Sequence, residues 1–574
     1  MRFSTALKTL ILALGLILPV AAPGQESGTP AAAAGFAKIS NPDLGFGLMG
    51  VHDWSPEQPF LDVMKTARPW IGHRPGEWGG MDEAGLRAAG VLDDEGWPRR
   101  IPEGLGSIGT LFLTDLPGGA VDMAGRYLVL WEGQGQIEMH GAARDIAPEA
   151  GGLGFSYSPG EGMVDFRITA IDAQDPIRRI RVVKAARADL LAQGEIFNPD
   201  FLARMEGTKL LRFMDWMATN NARLSAPQDR PLASDYTWAG EAGVPLEVAI
   251  SLANRLQADP WITVPHLASD ALVREMAAVV ARDLDPELKL WAEFSNEVWN
   301  WQFDQARWAD EQAKARWGEG GAWVSYYALR AAEVMALWSE ALPPERLVRV
   351  IATQTGWRGL EEQILDPEPI RKEGGAPPYE SFDAYAITGY FQGKLGYEDR
   401  DALIRSWLAQ SRAEARDQAG ALGLTGAPLE AWVSRHGFAL AGELAESELR
   451  DGALSGEFEE SLGFVTGTLF PYHARVAAGH DLALVMYEGG THVTPIGPVM
   501  EDAEMVQFFT ELNYSPGMGR LYTELLEGWK AVSDAPFLHY GSVFTPGKYG
   551  SWGALRHLSD DNPRWQALIG CSPC

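Results

Sequence analysis

Apolar runs recur along the chain, and each is followed by a polar stretch and a helical pattern. Eight runs read as strands of a parallel sheet that helices cover, because runs such as LVRVIATQ are apolar on both faces. These runs are GFGLMGV after Leu44, 209–216, 260–266, 288–297, 347–354, 382–391, 482–490 and 537–544. Amphipathic helical patterns lie between them, for example at 245–257 and 270–284. Eight alternating strand–helix units predict an α/β fold, a closed (β/α)₈ TIM barrel.

The stretch from 98 to 190 breaks this rhythm. It contains short β-like runs separated by turn signals such as Pro117-Gly118, which predict a small β-sandwich inserted into the barrel. A second elaboration, long and helical, is expected over 392–480. The main alternative to the barrel is a doubly wound open sheet. The sequence has no G-x-G-x-x-G after its first strand and no Walker motif, so a nucleotide-binding fold has no support.

The first residues have the pattern of a secretory signal peptide. The basic residues Arg2 and Lys8 precede the apolar run 9–20, and the small residues Ala21 and Ala22 follow it. The alternative is a membrane anchor, but the run is shorter than the roughly 20 residues that a spanning helix needs. We therefore expect a secreted or periplasmic protein with no membrane segment after signal removal.

The predicted organisation has six segments. They are a signal peptide (1–24), a flexible leader (25–40), the start of the barrel (41–97), the inserted β-sandwich (98–190), the rest of the barrel (191–565) and a tail (566–574). The tail contains Cys571 and Cys574 in a C-S-P-C spacing. This pair allows a small disulfide in an exported protein, but it supplies too few ligands for a zinc site.

Composition narrows the function. A net charge of −29 over 574 residues argues against a nucleic-acid partner, which would need a basic face to displace counterions. The 21 tryptophans suit carbohydrate binding, because the C–H faces of sugars stack on aromatic rings, although tryptophans also fill cores. The 10 histidines are scattered and no H-x-H lies on the first strand, which disfavours a metal-dependent hydrolase. Neither a metal nor a cofactor is expected.

Two carboxylates stand at predicted strand ends, where the functional side chains of a (β/α)₈ barrel lie. Asn296-Glu297 ends the fourth predicted strand and Glu488 ends the seventh. Such a pair suits glycoside hydrolysis, in which one carboxyl group protonates the leaving oxygen. The second attacks the anomeric carbon if the two are about 5–5.5 Å apart, whereas a gap of about 6.5–9.5 Å leaves room for water and gives inversion.

This arrangement resembles the clan of retaining glycoside hydrolases with a (β/α)₈ barrel that includes cellulases, mannanases and β-glycosidases. The resemblance implies that Glu297 is the acid/base and Glu488 the nucleophile, and Glu293 matches a Glu that the clan tends to have four residues before the acid/base. The chain departs from the clan in its early insertion and in Val298, where many members have Pro. It is also similar to secreted proteins described as cellulose-binding.

The resemblance also implies a set of substrate-binding and supporting residues. They are Asn296, Arg212, His266, Tyr390 and Trp552. Arg212 and Tyr390 would support the nucleophile, and Asn296 would bind the sugar 2-OH. His266 would contact the sugar and Trp552 would lie under it. Trp299 is a further substrate-binding candidate from the segment SNEVWNWQF, which departs from the clan; with Trp301 it would shape the +1 side of the cleft. Arg212 has the alternative of an ion pair with Asp215, and His266 that of a structural histidine.

The mechanism sets an expectation for the two charges. Glu297 must be protonated, so its pKa should be raised by the negative nucleophile and by partial burial. Glu488 must stay ionised, held by charge-assisted hydrogen bonds from Arg212 and Tyr390. The predicted function is retaining hydrolysis of a β-linked oligo- or polysaccharide. The alternative is a non-catalytic carbohydrate-binding protein on a degenerate barrel.

Overall fold

The structure is a computed structural model that describes residues 36–318 and 320–570. Within these residues no helix is long and apolar enough to cross a membrane. The predicted signal peptide, most of the predicted leader and the pair Cys571 and Cys574 lie outside the described residues.

In the described part of the chain, eight parallel strands close into a barrel in the order of the sequence. The strands are β1 (Leu44–Gly47), β2 (Leu210–Arg212), β3 (Asp259–Val264), β4 (Leu290–Phe294), β5 (Leu347–Ala352), β6 (Ala384–Phe391), β7 (Ala483–Thr491) and β8 (Phe537–Tyr540). β1 closes the barrel by pairing with both β2 and β8, so that Gly45 faces Leu210 on one side and Leu538 on the other. The predicted TIM barrel is confirmed, and each strand falls within or overlaps its predicted apolar run.

Helices cover the barrel and fill its elaborations. The α-helices are Glu83–Ala88, Ala188–Ala192, Pro199–Met205, Leu246–Leu256, Asp270–Asp283, Asp304–Trp317, Trp323–Ala341, Glu362–Leu365, Glu368–Lys372, Asp401–Ala421, Ala427–His436, Ala439–Asp451, Leu462–Phe464, Phe470–Gly479, Ala503–Asn513, Pro516–Lys530 and Pro563–Ile569. Helix 270–283 shows why such segments fold: the Ser269 hydroxyl accepts a hydrogen bond from the Leu272 amide and caps the helix. Val273 and Val280 then lie on its buried face.

The connection from β1 to β2 carries two antiparallel sheets, as a β-sandwich insertion requires. In sheet order, one contains Arg178–Lys184, Gly125–Glu132, Gly152–Tyr157 and Arg144–Glu149, and the other Gly80–Met81, Ile71–His73, Ser107–Phe112, Val164–Ile171 and Gly135–Gly141. Two of these strands, 71–73 and 80–81, precede residue 98 in the chain. The sheets share an apolar core that includes Phe112, Phe155 and Phe166. Strand 144–149 has no apolar alternation and is mostly exposed, so the pattern of hydrophobic positions does not reveal it.

The long connection from β6 to β7 is the helical elaboration expected over 392–480. It contains helices 401–421, 427–436 and 439–451 and returns to the barrel through helix 470–479. Between them, Glu460 reaches the carboxyl ends of the strands, where its backbone oxygen accepts hydrogen bonds from the amides of Gln392 and Gly393. The elaboration therefore contributes a polar side chain to the mouth of the barrel.

Candidate active site

A cleft of about 470 Å³ opens at the carboxyl ends of the barrel strands. Its walls bring together residues from β4 to β8 and from the loops that follow them. The lining residues are Glu297, Gln354, Thr355, Gly356, Thr388, Tyr390, Gln392, Glu460, Val465, Leu469, Tyr487, Glu488, His492, Tyr540 and Trp552. The two predicted catalytic carboxylates thus face one cavity, at the end of the barrel where (β/α)₈ enzymes hold their active sites.

Glu488 is held by two donors. The Nη1 of Arg212 donates to its Oε1 at 2.8 Å, and the hydroxyl of Tyr390 donates to its Oε2 at 3.0 Å. Only 7% of Glu488 is exposed. Both donors were expected from the sequence, and each occupies a different carboxylate oxygen, so the carboxyl plane is fixed.

Glu297 lies three residues beyond β4 in a turn with left-handed backbone. Its φ is 42° and that of Ser295 is 62°, a region that side chains other than glycine rarely adopt. The Tyr487 hydroxyl donates to Glu297 Oε1 at 2.9 Å, and the Asn300 Nδ2 donates to Oε2 at 3.0 Å. Backbone strain of this kind concentrates at functional sites, where surrounding contacts impose it.

A β-bulge explains how Tyr487 and Glu488 both face the cleft. Neighbouring residues of a regular strand point to opposite faces of the sheet. In the β6–β7 ladder, however, Ile387 pairs with Met486 and Thr388 with Glu488, so Tyr487 is left without a partner. Such a bulge re-aims side chains. Tyr487 therefore reaches Glu297 from the strand that carries Glu488, a contact that the pattern of apolar residues does not reveal.

Arg212 is the buried hub of the site and is 1% exposed. Besides Glu488, its Nη2 donates to Glu293 Oε2 at 2.8 Å and to Asn296 Oδ1 at 2.9 Å. The Nε1 of Trp261 donates to the same Glu293 oxygen at 2.9 Å. Arg212 thus links the residue groups at the ends of β4 and β7. The ion pair between Arg212 and Asp215, which the sequence allows as an alternative role for Arg212, is not found among the ion pairs of the described residues.

Asn296 connects Arg212 with a polar network that contains Asn220 and Gln305. Its Oδ1 accepts from Arg212, and its Nδ2 donates to Asn220 Oδ1 at 3.1 Å. The side chain of Gln305 donates to the same Asn220 oxygen at 2.7 Å and to the Asn296 backbone oxygen at 2.9 Å. These contacts fix the orientation of the amide beside Glu297.

Trp552 belongs to an aromatic group that lines the cleft near Glu488. Its ring centroid lies 5.0 Å from that of His492, 5.6 Å from Tyr540 and 6.4 Å from Tyr390. The neighbouring His492 was not predicted, although it follows Glu488 by only four residues. Burial lowers the pKa of His492, which favours a neutral ring able to contact a hydroxyl group.

Of the six predicted substrate-binding residues, Tyr390 and Trp552 line the cleft, whereas Asn296, Arg212, His266 and Trp299 do not. His266 is buried with its ring centroid 5.6 Å from that of Trp308, and burial lowers its pKa to about 4. Trp299 is 5% exposed and packs edge-on against Tyr327 and Tyr487, each with a centroid distance of 6.3 Å. Trp299 therefore supports Tyr487 from behind.

The charges of the site differ from the sequence expectation. Burial raises the pKa of Glu488 to about 8, while Arg212 lowers it, Glu297 and Asp215 raise it, and the Tyr390 hydrogen bond lowers it. The expectation was that Glu488 would stay ionised. Burial also raises the pKa of Glu293, against the opposing effect of Arg212. With several carboxylates around one guanidinium, the site binds protons more strongly than separate carboxyl groups would.

Two more carboxylates, the partly buried Asp215 and the buried Glu57, flank the site and were not predicted as site residues. Burial raises the pKa of Asp215 to about 6, and its Oδ2 accepts from the Tyr540 hydroxyl at 3.2 Å. Burial raises the pKa of Glu57 to about 8, and this residue accepts a hydrogen bond from the Ser542 hydroxyl. Both follow barrel strands in loops whose reach the apolar pattern does not reveal. Across residues 36–318 and 320–570, no group of three or more His, Cys, Asp or Glu side chains is arranged to hold a metal ion.

Neither models of known protein families nor curated protein sequences give a match to this chain. The closed barrel of eight parallel strands is what the structure establishes. That fold commonly carries enzymes, with the active site at the carboxyl ends of the strands.

Proposed function

We propose that this protein is a retaining glycoside hydrolase that acts on a β-linked oligo- or polysaccharide. The observation that supports it best is the pairing of Glu297 and Glu488 across one cleft, each with two hydrogen-bond donors of its own. Fold alone does not imply function, so the proposal depends on this site.

In the first step, a Glu488 oxygen forms a bond to the anomeric carbon while the bond to the leaving oxygen breaks. That oxygen keeps the electron pair and takes the proton of Glu297. In the second step, Glu297 takes a proton from water, and the water oxygen displaces Glu488. Arg212 and Tyr390 hold the attacking carboxylate in place, and the aromatic group of Trp552 borders the sugar that reacts.

The nucleophile is tested by chemical rescue. Glu488→Gly should abolish hydrolysis, and azide should restore turnover of an activated β-glycoside and give the α-azide product, because the small anion fills the space of the carboxylate. A matched change at Glu460, a second carboxylate that lines the same cleft, should show no azide dependence. Normal hydrolysis by Glu488→Gly would contradict the assignment.

The acid is tested by the leaving group. Glu297→Gln should slow substrates with poor leaving groups by about 10²–10⁴-fold, the usual contribution of general acid catalysis. Substrates with good leaving groups should keep most of their glycosylation rate, because they depart without a proton. Equal losses on both kinds of substrate would count against the acid role.

A second candidate function is non-catalytic glycan binding. The raised pKa of Glu488 favours it, since a carboxyl group that keeps its proton at neutral pH is a poor nucleophile. A digestion screen on a broad set of glycans separates the two functions. Glu488→Gln should abolish all hydrolysis that the unmodified chain shows, whereas a binding protein gives no products with either chain.

A further inference from the structure

Three tryptophans form an exposed row beside the cleft, in the loops after β4 and β5 and at the start of helix 323–341. The ring centroid of Trp323 lies 5.4 Å from that of Trp301 and 6.4 Å from that of Trp357. Trp301 is 48% exposed and Trp357 is 49% exposed, while Trp323 is partly buried between them. We call these three residues the tryptophan row.

The row is continuous with the catalytic cleft at both of its outer rings. Trp301 directly follows Asn300, whose amide donates to Glu297. Trp357 directly follows Gly356, which lines the cleft, and the Trp357 amide donates a hydrogen bond to the side-chain oxygen of Gln354, another lining residue. The row therefore begins next to residues that line the cleft or contact Glu297.

The row lies on the side from which the leaving group departs. In the proposed reaction the acid carboxyl must touch the glycosidic oxygen, so sugars beyond that oxygen lie on the Glu297 side. The aromatic group around Trp552 lies beside Glu488 instead. The two aromatic sets thus border opposite sides of the bond that would break.

The rings offer the chemistry that a sugar face requires. An aromatic ring carries negative charge on its faces, which attracts the slightly positive C–H groups of a pyranose. Single apolar residues scattered over a protein surface are ordinary, whereas a cluster of exposed apolar residues marks a binding site. The two half-exposed indoles of the row belong to one cluster. Trp323 packs between them, so the outer rings hold their orientation without a ligand.

We propose that the tryptophan row binds the leaving-group part of a glycan chain, so that the substrate is a polysaccharide extending several sugars beyond the cleaved bond. This inference rests on the proposed hydrolase function and adds its substrate class. It predicts that the row matters for polymers and not for glycosyl fluorides, whose single-atom leaving group does not extend to that side.

The binding test uses native gels that contain hydroxyethyl cellulose, mixed-linkage β-glucan, glucomannan or xylan. The parent is Glu488→Gln, which prevents digestion during the run. We expect at least one polysaccharide to retard the parent, and the added changes Trp301→Ala and Trp357→Ala to remove most of that retardation. Trp78→Ala is the matched control, since Trp78 is 55% exposed on the β-sandwich insertion.

A kinetic test uses the active chain with the same changes. The double alanine variant should lose about tenfold or more in kcat/KM on the retarding polysaccharide, the scale of losing an aromatic contact at a binding site. Its kcat/KM on a β-glycosyl fluoride, whose leaving group is a single atom, should change by less than about twofold. The double variant Trp301→Phe with Trp357→Phe keeps a smaller aromatic ring at both positions and should recover part of the binding. Such recovery would also show that the fold tolerates substitution at these positions.

Two results would overturn the inference: retardation of the double alanine variant equal to that of the parent, or no retardation of the parent by any of the four polysaccharides. Failure of the hydrolase proposal reads out separately. It would appear as hydrolysis that survives Glu488→Gln, or as no hydrolysis at all, while the gels still report binding.

Discussion

Arg212→Met removes the one guanidinium that serves both Glu293 and Glu488. Arg212 is 1% exposed and contacts each carboxylate at 2.8 Å. Breaking a buried ion pair by removing one partner costs about 3–5 kcal/mol, because a buried charge loses its compensation. We expect the free energy of unfolding to fall by about that amount at pH 8.

The cost should depend on pH, with a sign that follows from the carboxylates. Burial already raises the pKa of both groups, and Arg212 lowers it in each case, so the variant raises both further. Near their ordinary value of 4.5 the carboxyl groups are protonated in the folded state and no bare charge remains. Because Glu488 keeps its proton up to about pH 8 in the unmodified chain as well, the dependence on pH comes from Glu293. The loss at pH 5 should therefore shrink to about 1 kcal/mol, the value of the remaining hydrogen bonds.

The assay is urea unfolding followed by tryptophan fluorescence at pH 5 and pH 8. Arg349→Met is the matched control, because Arg349 pairs with Asp383 at 2.7 Å with side chains 30% and 40% exposed. That variant should lose no more than about 1 kcal/mol at either pH. A loss for Arg212→Met that is equal at pH 5 and pH 8, or below about 1 kcal/mol at pH 8, would mean that Arg212 does not compensate buried carboxylate charge.

Two further changes probe single contacts of the site. Tyr390→Phe removes a donor to Glu488 and should lower kcat/KM by about 10²-fold or more with little effect on KM, measured on an aryl β-glycoside; an unchanged rate would exclude a supporting role. Glu57→Gln should flatten the pH dependence of thermal unfolding, because the raised pKa of about 8 gives stability at low pH that is lost as the pH rises from 4.5 through 8. Parallel curves for the variant and the unmodified chain between pH 5 and 8 would contradict this.

The fold could be predicted from the sequence because a parallel barrel imposes one apolar run per strand. Runs such as 347–354 and 482–490 leave little choice other than a covered parallel sheet. Strand order then placed Glu297 and Glu488 at one mouth, since parallel strands of a barrel end on the same side. The support of Glu488 by Arg212 and Tyr390 was expected from the resemblance to the glycoside hydrolase clan, and not from strand order alone.

What the sequence could not predict depends on local backbone geometry and on loop reach. Tyr487 contacts Glu297 only because a bulge breaks the alternation of β7, and no residue type announces that bulge. Trp299 is a residue type that suits stacking against a sugar, but its ring is buried and packs edge-on against Tyr487. Gln354 and Glu460 come from loops whose paths periodicity does not describe.

Charge is the other property that the sequence left open, because it depends on how many carboxylates share one cation. Two interacting carboxylates titrate as a pair, and the resulting pKa values belong to the pair. A retaining hydrolase needs one proton on Glu297 and Glu488 together. The value of about 8 at Glu488 means that such a proton persists through neutral pH, and kcat/KM of the unmodified chain should fall as the pH rises through about 8.

The pairing itself can be tested with Glu297→Gln and an aryl glycoside whose leaving group needs no acid. The charge of Glu297 raises the pKa of Glu488, so its removal should lower that pKa below about 8. Glu488 must be ionised to attack, and kcat/KM of this variant should therefore rise with pH to a plateau, with a midpoint below 8, where the unmodified chain loses activity. A midpoint that stays at about 8 would mean that burial and Asp215, and not Glu297, keep the pKa high. The proton would then belong to Glu488 at neutral pH, which would favour the non-catalytic alternative.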